Sequence, residues 1–117
     1  MSHEATLRSM YDAMNKQDTA AIKELIAEDA TFHMLPNPVL PATTVTGRDQ
    51  IMAFMEEHIP GLDMQQEIQQ ISVQDEFATV YVTSTSKGPD GSPLTVRWAD
   101  VFQFDGDRIK GHVSLSA

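Results

Sequence analysis

Thr95-Val96-Arg97-Trp98-Ala99-Asp100-Val101-Phe102-Gln103-Phe104 decides how the rest of this chain is read. Its β-branched and aromatic residues run into Asp105-Gly106, which marks a strand ending in a turn. Side chains of a strand alternate between two faces, so Trp98, Asp100, Phe102 and Phe104 share one and Arg97, Ala99, Val101 and Gln103 the other. The aromatic face is the one to bury, and it carries Asp100 with it. A carboxyl group taken out of water must be paired, hydrated or protonated. Such carboxyls are common at functional sites and also occur in structural pairs.

Working outward from this strand, residues 108–115 form the last one, and its register decides what stands beside Asp100. If Asp105-Gly106-Asp107 is a three-residue loop, Phe104 pairs with Arg108 and Asp100 with His112. A two-residue turn instead puts Ile109, Val113 and Leu115 inward and His112 outward. On the upstream side, 88–93 is a hairpin loop and 77–86 a strand. In that strand Tyr81, with Phe77, Thr79 and Thr83, is placed toward the pocket, which leaves Ala78, Val80 and Val82 outside. Residues 64–73 are ambiguous: Met64, Ile68 and Ile71 fit helical spacing, but the glutamines and the length after a helix stop favour a strand. Ile68 and Ile71 have opposite parity there, which predicts a bulge between them.

The first half of the chain is helical. Leu7, Met10, Tyr11 and Met14 recur at i, i+3, i+4 and i+7, behind Ser2 as cap. Asp18 caps a second helix with Ile22, Leu25 and Ile26 on its apolar face, ended by Glu28-Asp29. A short strand covers 30–35. Pro36, Pro38 and Pro41 make the next stretch an irregular loop and a candidate lid. Thr46-Gly47 opens a third helix with Ile51, Phe54, Met55 and Ile59 on one face, and Pro60-Gly61 stops it. Helices segregated from a run of antiparallel strands define the α+β class. The expected architecture is one domain over 1–117, a cone-shaped antiparallel sheet curled around three helices, with a pocket between them.

Composition limits the function. The chain has 117 residues, 41% apolar and 21% charged, the balance of an ordinary globular domain. Its net charge of −9 repels phosphate backbones and anionic bilayers, so neither nucleic acid nor membrane is an expected partner. Without cysteine there are no disulfides, thiol nucleophiles or thiolate metal sites. Residues 1–6 lack the basic and apolar regions of a signal peptide, and a cytoplasmic protein is expected. No HExxH, P-loop or dinucleotide fingerprint occurs, and no metal site is expected.

Four segments carry a family resemblance: Tyr11-Asp12-Ala13-Met14-Asn15-Lys16-Gln17-Asp18, Leu25-Ile26-Ala27-Glu28-Asp29-Ala30-Thr31-Phe32, Gly47-Arg48-Asp49-Gln50-Ile51, and Asp100-Val101-Phe102-Gln103-Phe104-Asp105-Gly106-Asp107-Arg108-Ile109. In this order and spacing the chain resembles the nuclear-transport-factor-2-like superfamily, in its SnoaL-like or ketosteroid-isomerase-like branch. The resemblance implies that Asp100 falls where ketosteroid isomerases keep a protonated carboxylic acid, the worked example of an acid held neutral by its apolar site. It places their tyrosine on Met10, with Tyr11 one position off and pointing elsewhere, and their general base on Met34. The histidine that cyclase relatives carry on the preceding strand is missing from Thr83-Ser84-Thr85-Ser86. The arginine and two aspartates of the epoxide hydrolases are not reproduced, because Arg97 and Asp100 have opposite parity.

The expected function is binding of a small hydrophobic molecule, with cofactor-independent proton transfer of isomerase, cyclase or dehydratase type. The alternative is a non-catalytic ligand-binding or dimerisation module. Asp100, His112 and His33 are the candidate catalytic residues, since an Asp–His pair is an acid/base unit near neutral pH. Met10, Met14, Met34, Phe54, Tyr81, Trp98 and Phe102 are expected to line the pocket, the methionines as pliable filler. Desolvation of Asp100 among aromatics predicts that Asp100→Asn leaves stability unchanged or raises it. The strands at 77–86 and 95–104 read as apolar on both faces, so a homodimer through the outer sheet face is expected.

Overall fold

The computed structural model describes residues 2–88 and 90–116; Met1, Pro89 and Ala117 lie outside them, and with Pro89 one residue of the expected 88–93 loop. Helix α1 spans His3–Lys16, and the Ser2 side chain accepts a hydrogen bond from Ala5 N–H at 3.0 Å. It ends at Gln17 in the left-handed conformation (φ 57°). Asp18 caps α2, Thr19–Leu25, by accepting from Ala21 N–H at 3.2 Å. Leu7, Met10 and Tyr11 of α1 and Ile22 of α2 are buried, as the helical spacing predicts.

The chain passes straight from α2 into β1, Ile26–Met34. The second helix was expected to continue to Glu28-Asp29. Instead Ile26 is extended (φ −104°, ψ 132°), a conformation its β-branched side chain favours, and it is fully buried. The proline-rich stretch stays irregular, but β2 follows it at Thr43–Thr46. Three threonines and a valine have strand character; the prolines on one side and the helix start on the other concealed it. Helix α3 spans Arg48–His58, followed by a single 3-10 turn at Pro60–Leu62.

Four strands complete the chain: β3 Gln65–Gln74, β4 Phe77–Lys87, β5 Pro93–Asp105 and β6 Arg108–Ser116. They join β1 and β2 in one curved, unclosed six-stranded sheet of order β2-β1-β6-β5-β4-β3. All neighbours are antiparallel except β1 and β6. The expected bulge in β3 falls between Ile68 and Gln70.

The inner row of β5 is the one read from the sequence: Trp98, Phe102 and Phe104 are buried, and Arg97 and Gln103 belong to the outer face. The faces of β4 are the reverse of the expectation. Ala78, Val80 and Val82 are 0–2% exposed inside the fold, while Phe77 and Tyr81 are 49% and 47% exposed outside. Val80 pairs with Asp100 and Val82 with Trp98, so the parity of β5 dictates that of β4. Alternation in β4 is compatible with either face inward; only the pairing chooses. His3, next to the chain start, stacks on Phe104 at 4.0 Å between ring centres.

The β5–β6 hairpin follows neither of the two registers considered. Asp105 pairs with Arg108 around a two-residue turn at Gly106-Asp107, and Phe104 pairs with Ile109. Beyond a bulge, Gln103 pairs with Gly111, Phe102 with His112 and Asp100 with Ser114. One extra residue in β6, Lys110, lets Ile109 and His112 both face inward.

Candidate functional site

Asp100 stands on the inner row of β5, 5% exposed, between Val80 on β4 and Ser114 on β6. Ser114 Oγ donates to its Oδ1 at 2.6 Å. Tyr11 donates its hydroxyl proton to Oδ2 in a short hydrogen bond from helix α1. The resemblance placed the helix tyrosine on Met10 and turned Tyr11 away; the structure corrects both. Positions 10 and 11 are about 100° apart around a helix, and the apolar stripe of α1 is wide enough to bury both at 2% exposure. Met10 stays in the core, and the longer tyrosine reaches the carboxylate. Burial first, then the charge of Asp100 and the hydrogen bond to it, push the Tyr11 hydroxyl well above its ordinary pKa of 10.0. Tyr11 therefore remains a donor throughout the physiological range.

His112 lies beside this pair. Its Nε2 is 3.6 Å from Asp100 Oδ1, within ion-pair distance when the imidazole carries a proton but too far for a hydrogen bond. The ring stacks on Phe102 (4.6 Å, 17°) and meets the edge of Phe32 (4.7 Å, 67°). Both ring nitrogens are buried without a hydrogen-bond partner. Buried polar atoms left in this state are costly, so they mark a place where a ligand can bond.

Asp100, His112 and Ser114 form the polar end of a mostly apolar cavity walled by Met14, Phe32, Met34, Phe54, Met55, Met64 and Trp98, with Gln66 also in its lining. About 60 Å³ of it is open to the centres of water molecules, several times what one water needs. Trp98 Nε1 donates to Ser84 Oγ at 2.7 Å, which fixes the indole in the wall. Leu40, from the loop after β1, and Thr43 and Val45, of β2, border the cavity.

Of the expected site residues, the fold brings together Asp100, His112, Met14, Met34, Phe54 and Trp98. Three pocket assignments are corrected. Met10 is core; Tyr81 faces outward on β4; Phe102 is fully buried behind His112 and edge-on to Tyr11 (6.3 Å, 85°). His33 is not part of the polar group. It borders the cavity, but it shares the outer-face parity of Val113, and its Nδ1 is 3.0 Å from Thr44 Oγ1 on β2. Tyr11 and Ser114 were missed as partners of Asp100. Tyr11 was visible only as one more apolar-stripe residue, and Ser114 faces Asp100 only because of the Lys110 bulge. Among the described residues no three His, Asp or Glu side chains converge as a metal site requires.

Residues 7–112 match the family model described as a SnoaL-like domain. No curated protein matches the chain significantly. The fold is shared with solved structures of low identity. An NTF2-like protein of unknown function from Burkholderia pseudomallei is 22% identical, with a TM-score of 0.88 over 100% of this chain and 92% of that one. A protein with a ketosteroid isomerase-like fold from Catenulispora acidiphila, in complex with trimethylamine, is 17% identical, with a TM-score of 0.82 over 94% and 83% of the two chains. A Mycobacterium tuberculosis protein in complex with estradiol-17β-hemisuccinate is 16% identical, with a TM-score of 0.80 over 94% and 89%.

Proposed function

The chain belongs to the SnoaL-like domain family, and from that premise we propose that it binds a small hydrophobic carbonyl compound and moves a proton on it without a cofactor. The observation that carries this reading is the unpartnered imidazole of His112 beside a carboxylate held by two O–H donors, at the polar end of an apolar cavity. His112 takes a proton from the carbon next to the carbonyl and returns it. Asp100 steadies the imidazolium that forms, and Tyr11 and Ser114 hold Asp100 in place as positioning residues. Small-molecule complexes of proteins with this fold, trimethylamine in one and estradiol-17β-hemisuccinate in another, support ligand binding in general. The protein is proposed to work in the cytoplasm as one domain.

A specific observation favours a second reading, ligand binding without turnover. Tyr11 and Ser114 both spend their hydroxyl protons on Asp100, so neither donates to an enolate oxygen. The compact bicyclic ketone 2-tetralone separates the two. With catalysis, the protein accelerates exchange of its α-hydrogens for deuterium in D₂O, followed by NMR. His112→Phe, which keeps the stacking on Phe102, is then expected to reduce that acceleration by about 100-fold or more. Saturable binding with no accelerated exchange would leave the binding module as the correct reading.

Assembly belongs to the same proposal. The outer sheet face exposes Phe77, Tyr81 and Leu115 around the half-buried Ala99, Val101 and Val113. A second copy related by a two-fold axis covers this face.

A further inference from the structure

We infer that the ligand is a neutral molecule with hydrogen-bonding groups at two opposite ends, the far one held by Gln66; this rests on the cavity reading above and narrows its ligand class. Gln66 is the second residue of β3 and lines the cavity together with Asp100 and His112. The carboxamide of Asn15, at the end of α1, clamps its backbone from both sides. Asn15 Oδ1 accepts from Gln66 N–H at 2.8 Å, and Asn15 Nδ2 donates to Gln66 O at 2.9 Å. Gln65 Nε2 adds a bond to Asn15 O at 3.1 Å. The Gln66 side chain, by contrast, is held by little. Its one hydrogen bond among the described residues runs from Nε2 to Met14 Sδ at 3.9 Å, and a thioether is a weak acceptor. A firmly placed residue thus presents a largely unspent amide to the cavity.

The sheet sets the distance between the two ends. Gln66 pairs with Ser84 and Ser84 with Val96, four residues before Asp100 on β5. Four residues along a strand and two strands across put the Cα atoms at most ~16 Å apart, and the inward reach of both side chains shortens the gap to on the order of 10 Å. Trp98 and the methionines lie between. The charge of the far group follows from the walls. No lysine or arginine lines the cavity, and the chain carries −9 overall. Gln66 is half-buried; a carboxylate or phosphate beside it would lose part of its hydration without a counter-charge, and an ammonium would meet no carboxylate there, since Asp100 stands at the other end, so the group Gln66 holds is a hydroxyl or carbonyl.

The test compares 4,4′-dihydroxybiphenyl with 4-phenylphenol by calorimetry. The first carries hydroxyls at both ends of a rigid apolar body and the second at one end only. Wild-type protein is expected to bind the dihydroxy compound roughly 3- to 10-fold more tightly, one net hydrogen bond. Gln66→Leu and, as a second apolar variant, Gln66→Met should bind 4-phenylphenol as well as wild type does and lose the preference. Melting curves and the 4-phenylphenol affinity report that each variant is folded with its cavity intact. Equal binding of the two compounds by wild type, or a preference that survives both substitutions, overturns the two-ended ligand while leaving the cavity reading in place. Failure of both compounds to bind wild type overturns both. Proton exchange on 2-tetralone is tested separately, through His112.

Discussion

Replacing Tyr11 by phenylalanine keeps the ring against Phe102 and removes the hydroxyl that donates to Asp100. A lost hydrogen bond to a buried charged group costs about 1.5–3 kcal/mol, and a lower denaturant midpoint at pH 7 is the expected result. The pH dependence has a defined sign. Tyr11 is an acid whose pKa in the folded protein is raised well above 10.0, chiefly by burial and then by Asp100. The folded state therefore keeps a proton that the unfolded state releases. This stabilising contribution is complete below the unfolded value near 10, and it is lost as pH rises from there through the folded value. Wild type should lose stability more steeply than Tyr11→Phe between pH 9 and pH 11 in paired melting curves; parallel curves would contradict the buried, Asp100-bound hydroxyl. Asp100→Asn is also expected to behave differently from the sequence-based expectation. An apolar site alone predicts no penalty. The carboxylate, however, accepts from Tyr11 and Ser114 on its two oxygens, and an amide offers one oxygen and an NH₂ in their place. A loss of about 1–3 kcal/mol is expected at neutral pH, read as a fall in melting temperature.

At the scale of elements, two short features place the cavity residues: the Lys110 bulge and the Asn15 clamp. The bulge lets a two-residue turn coexist with an inward His112. The alternation of Ile109, Val113 and Leu115 argued for one register and the position of His112 for the other, and a single extra residue satisfies Ile109 and His112 together. The clamp ties the end of α1 to the start of β3 through side-chain bonds on both sides of Gln66. Asn15→Ala removes both. The expected loss is roughly 1–3 kcal/mol, and amide exchange at Gln66 should accelerate by at least an order of magnitude relative to β4 and β5. Unchanged protection at Gln66 would show that strand pairing alone holds this end of the sheet.

For the whole molecule, the exposed Phe77, Tyr81 and Leu115 on one sheet face lead to a prediction about mass. Light scattering at micromolar concentration should give about twice the 13.0 kDa of one chain. Phe77→Glu combined with Tyr81→Glu should return it to one chain mass, since paired buried charges oppose association. A wild-type monomer would remove the second copy from the proposal. The α+β class, the apolar face of α1, the bulge in β3 and the inner row of β5 were all legible in the sequence. Each depends on short-range periodicity, which a chain carries whatever its partners. The inward placing of Asp100 belongs to this group. The sequence alone could not choose the face of β4, because Phe77 and Tyr81 on one side and Val80 and Val82 on the other are both apolar. Pairing with β5 made the choice. The contacts of Tyr11 and Ser114 with Asp100 were not legible either: the resemblance turned Tyr11 away, and Ser114 was not among the candidates. Those contacts join residues 89 and 14 positions apart, and each turns on a detail of packing: the reach of one side chain across a helix stripe, and one extra residue in β6. Local patterning determines which face of each element is apolar; only the assembled sheet, with its register and bulges, decides which polar atoms meet.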